Sequence, residues 1–168
     1  MITDRLRAHL TASLSILLLL LAACSSIDCP VQNTVYTVYT LHKSDLSTDT
    51  LNGDTLTVYS RRHNGSDTLL LNQITAVTQF TLPMGYSNPE DTLYFYLKVA
   101  DGETTDTVWI KKENQPHFES VDCSAAFFHH ITAVRHTRNG IDSIAINKST
   151  VNYDGNTEHF HLYLKARR

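Results

Sequence analysis

From residue 34 onward the chain alternates apolar and polar positions in short runs broken by turn signals. Residues 34–41 read TVYTVYTL, a run of strong strand formers. Asn52-Gly53-Asp54 turns the chain into residues 55–60, and residues 63–67 turn it again into residues 68–71. Residues 79–82 form a short apolar stretch stopped by Pro83. In residues 93–99, Leu93, Phe95, Leu97 and Val99 share one face while Tyr94, Tyr96 and Lys98 share the other. Asp101-Gly102 leads into residues 105–111, a strand that Asn114-Gln115-Pro116 is expected to end. Residues 127–135 predict another strand. Asn139-Gly140, the strongest hairpin dipeptide in the chain, leads into residues 141–148. The last expected strand is 159–166, with Phe160, Leu162, Leu164 and Ala166 on one face. No helical 3.6-residue period appears after the leader. About eight strands at spacings of about 8–15 residues predict an all-β fold: an antiparallel, immunoglobulin-like β-sandwich, with a small barrel as the lesser alternative.

The first 23 residues break this pattern. Arg5 and Arg7 precede a run of apolar and small residues over 10–23. A spanning helix needs about 20 apolar residues, so this shorter run fits a signal-peptide helix. It ends in Leu21-Ala22-Ala23-Cys24, which matches the bacterial lipobox at every position. The expected organisation is a signal peptide over 1–23, a tether over 24–28 lipidated at Cys24, and one domain over 29–168. Two or three acyl chains anchor stably, since each buried CH₂ adds about 0.8 kcal/mol. Ser25, rather than an aspartate, after the cysteine favours the outer membrane, and the lack of an acidic run favours its periplasmic face. The membrane, through the lipid anchor, is the first expected partner.

Composition narrows the function. With 168 residues, 42% hydrophobic and 18% charged, the chain can bury one core. A formal net charge of −3 removes the basic footprint of a nucleic-acid binder. No G-x-S-x-G, P-loop or H-E-x-x-H motif is present. No enzyme activity and no cofactor are expected.

Lipidation would consume Cys24, leaving Cys29 and Cys123 in an oxidising compartment. The simplest reading pairs them; two separate buried thiols are the alternative. Acidic Asp122 beside Cys123 argues against a catalytic thiol there. A bridge at Cys29 would leave a link of at most about 17–18 Å between domain and lipid.

Three further patterns are candidates for chemistry. His159-x-His161 places two imidazoles on one face of a strand, a spacing found in zinc sites, with His129, His130 or His136 as a third ligand; the bland alternative is a polar outer face. Tyr94, Tyr96 and Trp109 alternate with inward residues and are candidate ligand-binding aromatics, although strand aromatics commonly just flank a core. Finally, Asp-Thr/Ser-apolar tripeptides recur irregularly. They place Thr50, Thr55, Thr68, Thr92, Thr107 and Ser143 in the acceptor pattern of Bacteroidota general O-glycosylation. The same grammar also arises wherever an aspartate closes a turn before a strand.

A lipobox cysteine followed closely by Cys29-Pro30, alternating strands, a Leu82-Pro83 stop, Cys123 and a β C-terminus together resemble a family of small Bacteroidota lipoproteins built on a domain of unknown function. The resemblance implies no activity, catalytic residue or cofactor. It implies an outer-membrane β-barrel protein as a partner. The expected role is a membrane-anchored, non-catalytic accessory module for an envelope protein. A carbohydrate-binding module using the strand aromatics and a metal-dependent enzyme around the His-x-His strand are the alternatives.

Overall fold

The computed structural model describes Cys29, residues 34–62 and residues 64–166. The expected leader, Cys24 and the 24–28 tether lie outside the described residues, as does His63. Ten strands follow one another: β1 (Tyr36–His42), β2 (Thr55–Arg61), β3 (Asp67–Ile74), β4 (Gln79–Pro83), β5 (Glu90–Val99), β6 (Gly102–His117), β7 (Ala126–His136), β8 (Ile141–Ile146), β9 (Thr150–Val151) and β10 (Glu158–Leu164). They form a four-stranded sheet, β4-β1-β10-β8, and a six-stranded sheet, β3-β2-β5-β6-β7-β9. The two sheets pack as a β-sandwich.

The period-two pattern creates the core. Tyr39, Leu41, Phe80, Leu82, Phe160 and Leu162 bury one face of the smaller sheet; Leu56, Val58, Phe95, Leu97, Val108 and Ile110 bury the facing side of the larger. Tyr39 is the hub. Its ring stacks on Phe80 at 5.0 Å and on Phe160 at 4.8 Å, and meets Phe95 of the opposite sheet at 6.0 Å. Burial pushes its phenol far above the ordinary range.

Four features depart from the sequence reading. The described residues form ten strands rather than about eight; two-residue β9 is too short to leave a periodic signal. All pairings but one are antiparallel: β1 runs parallel to β10, joining the two ends of the domain. Asn114-Gln115-Pro116 does not end β6, which continues to His117. Pro116 lies opposite Phe127, past the end of β5 at Glu90↔Lys111, so its missing N–H falls on an edge that needs no donor. Asn139-Gly140 is not a hairpin turn. It carries the chain from β7 in one sheet to β8 in the other.

That crossover is fixed by Asp106 of β6. Its buried carboxylate accepts the amides of Asn139, Gly140 and Ile141 at 2.7, 2.7 and 2.8 Å, and the Thr137 hydroxyl at 2.7 Å. Burial alone would raise this carboxyl; the four donors outweigh it and hold it below its ordinary value. Gly140 is required here for space, because a Cβ would collide with Thr104 Oγ1.

Candidate functional site

Cys29 and Cys123 form a disulfide with Cα atoms 5.4 Å apart. It ties the start of the described chain to the tip of the β6–β7 hairpin. That tip exposes apolar and acidic side chains together: Val121 is 97% exposed and Phe118 63%, with Glu119 and Asp122 exposed beside them. Around it, Tyr86 stacks on Phe127 at 4.8 Å, His117 on Phe128 at 4.1 Å, and Tyr153 meets Phe128 edge-on at 5.0 Å.

The outer face of the six-stranded sheet gathers the three aromatics that alternation pointed outward. Tyr59 and Tyr94 sit directly opposite across β2 and β5, and Tyr96 meets Tyr59 edge-on at 5.4 Å. Trp109 of β6 lies opposite Thr92, two residues along the face from Tyr94. Tyr96 is 43% exposed, while Tyr94 and Trp109 are half-buried beneath arginines. Arg61 lies 5.1 Å over Tyr94 and pairs with Asp67; Arg135 lies 4.3 Å over Trp109 and pairs with Glu90 at 2.7 Å. Beside Tyr59 and Tyr96 is an open depression of about 570 Å³, with Thr55, Thr57, Gln73, Lys98 and Glu103 as its polar walls. Sequence alternation placed Tyr94, Tyr96 and Trp109 on this face. Tyr59 and the capping arginines were missed as part of it, because strand pairing, not local pattern, brings them there.

The His-x-His pair separates. His159 is fully buried, and its Nδ1 accepts the Val38 amide at 3.0 Å. Burial pushes its imidazole down, against the pull of the Thr150 backbone and Asp154. The cause is a one-residue slip: Val38 faces Glu158, but Tyr39 faces Phe160. The extra residue at His159 shifts the side-chain parity of β10. Glu158 and His161 therefore come together, with His161 Nε2 3.3 Å from Glu158 Oε2. A further imidazole, His42 of β1, has its ring centre 4.3 Å from that of His161. One donor atom from each of His42, Glu158 and His161 lies within 4.8 Å of the other two. None of His129, His130 and His136 joins this group. His129 instead holds Asn114 at 2.8 Å, and burial with the nearby Lys112 charge pushes its imidazole down to about 4.

The six Thr and Ser residues of the Asp-Thr/Ser pattern are all half-buried. Their aspartates have structural partners: Asp67 pairs with Arg61, Asp91 with Lys112, Asp142 with Arg138, and Asp106 holds the crossover.

The model of a family of unknown function (DUF6452) matches residues 55–164, from the start of β2 to the end of β10. No curated protein and no solved structure matches the chain. The matched segment covers well over half of the sequence, and the chain belongs to this family of unknown function, DUF6452.

Proposed function

We propose that the protein is a lipid-anchored envelope module that binds another envelope protein through the outer aromatic face of its six-stranded sheet, without catalysis of its own. The observation that carries this reading is the Cys29–Cys123 bridge. It ties the residue five positions after Cys24 to a hairpin tip that exposes Phe118 and Val121. An acyl chain on Cys24 would hold that tip near the bilayer, where the exposed Phe118 ring sits favourably and the flanking Glu119 and Asp122 stay in water. The sheet faces would then stand away from the membrane, presenting Tyr59, Tyr94, Tyr96 and Trp109 sideways. Clustered tyrosine, tryptophan and arginine are the residue types that dominate protein–protein contacts.

A photo-reactive residue at Tyr96 of the full chain, in intact membranes, tests this. Adducts with a defined envelope protein are expected from Tyr96 and not from Ala145, which is exposed on β8 of the other sheet. Equal adducts from both positions, or none from either, would count against the reading. A second reading is carbohydrate binding, favoured by the depression in which Tyr59 and Tyr96 adjoin polar Thr57, Gln73, Lys98 and Glu103. It predicts retention on a polysaccharide column that Tyr96→Ala abolishes.

A further inference from the structure

We infer that His42, His161 and Glu158, on the outer side of the four-stranded sheet, form a binding site for a divalent ion of the zinc class. Two imidazoles and one carboxylate are a donor set that suits such an ion and leaves a fourth position open. The spacing fits. Bonds of about 2.0–2.1 Å in tetrahedral geometry place donor atoms roughly 3.4 Å apart. His161 Nε2 and Glu158 Oε2 are already at 3.3 Å, and no donor pair in the group exceeds 4.8 Å.

His42 is prepared as a ligand. A carbonyl oxygen only accepts, so the 3.2 Å contact between His42 Nδ1 and Leu46 O fixes the proton on Nδ1. The lone pair is then on Nε2, which is buried and has no hydrogen-bond partner among the described residues. A metal-bound histidine characteristically has this arrangement, with its second ring nitrogen donating to a backbone carbonyl. The carbonyl is itself held in place by a tight turn. Lys43 N bonds Ser47 O and Leu46 N bonds Lys43 O, and Leu46 takes φ of 67°, a left-handed conformation that is strained for a leucine. Strain of this kind persists where the surroundings impose it and clusters at ligand sites. Glu158 reaches the same side as His161 only because of the slip at His159. The Tyr163 ring flanks His42 at 5.9 Å and walls the site on one side.

The test is zinc titration of the full chain, extracted in detergent and stripped of metal, against a chromophoric chelator. One equivalent is expected. His42→Gln and His161→Gln should each weaken it by at least the about 10–100-fold that even a lost second-shell partner costs. His117→Gln, on the other sheet beside Glu119, should leave it unchanged. Ring signals of His42 and His161, but not of buried His159, should move with zinc in NMR spectra of the unaltered chain. That readout does not depend on any variant folding. No saturable equivalent, unchanged affinity in His42→Gln and His161→Gln, or zinc-dependent signals confined to other histidines would overturn the site.

Discussion

The carboxylate of Asp106 in β6 accepts the backbone amide of Gly140 at 2.7 Å, joining the middle of one sheet to the passage into the other. Three further donors converge on the same two oxygens. Hydrogen bonds to a charged group contribute about 1.5–3 kcal/mol each, and a buried donor left unsatisfied costs about 1–3 kcal/mol. Asp106→Asn keeps the shape but turns an amide NH₂ toward backbone N–H groups. We expect a loss of roughly 3–5 kcal/mol on these grounds, read as a lower urea midpoint with little change in slope. A midpoint within error of the unaltered protein would show that the crossover does not depend on this carboxylate.

Lys112 and Asp91 form a buried pair at 2.6 Å; the lysine side chain has no exposure and also donates to Asn88 O at 3.1 Å. Burial pushes the Asp91 carboxyl up, against the pull of Lys112. Removing one partner strands the other charge. Lys112→Met should therefore cost about 3–5 kcal/mol, and adding Asp91→Asn should recover part of that loss. A double variant no more stable than Lys112→Met would mean the two residues act independently.

His129 stays neutral in the fold, at about 4 against an ordinary value of 6.5, because burial and the Lys112 charge disfavour its cation. The unfolded chain binds this proton more readily, so between those two values the unfolded state holds more protons. Stability should fall as pH drops from about 6.5 toward 4 and should stop responding to this residue below that. His129→Gln should flatten the slope of unfolding midpoint against pH in this window. An identical slope in the two proteins would remove His129 as the cause.

The disulfide spans 94 positions. A closed loop of that length constrains the unfolded chain by about 4–5 kcal/mol in the chain-entropy model. Cys29→Ala paired with Cys123→Ala should lower the urea midpoint accordingly, while the aromatic packing of Tyr39 on Phe80 and Phe160 persists. A near-UV circular dichroism spectrum that collapses would contradict the view that the core folds from strand pattern and the bridge only reinforces it.

The strand faces were legible because inward and outward residues alternate in β2, β5 and the first half of β6; in β1 five consecutive residues, Thr37–Leu41, are buried. Leu93, Phe95 and Leu97 inside and Tyr94 and Tyr96 outside needed only that period. Partners and direction were not legible: nothing local states that β1 lies parallel beside β10. Pro116 and Asn139-Gly140 misled for one reason. A local stop signal yields where the edge is unpaired, and a turn dipeptide serves equally to cross between sheets. The histidines failed differently. Counting by two pairs His159 with His161, but a bulge is set by the neighbouring strand, so the true neighbours Glu158 and His42 left no trace in spacing. Cys29 and Cys123 were the easiest long-range contact, since assigning Cys24 to a lipid anchor on its lipobox leaves them as the remaining pair.

The central claim, an anchored module tied by its bridge to the membrane end, is tested most directly by the intact mass of the full chain extracted from its native membranes, before and after reduction. The account predicts a polypeptide beginning at Cys24 with acyl mass attached, and a gain of two hydrogens on reduction for the single bridge between Cys29 and Cys123. Added sugar mass would show that the chain is glycosylated, and peptide mapping would then test the Asp-Thr/Ser sites. A mass equal to the unprocessed, unmodified chain would contradict anchoring and with it the proposed orientation of the aromatic face.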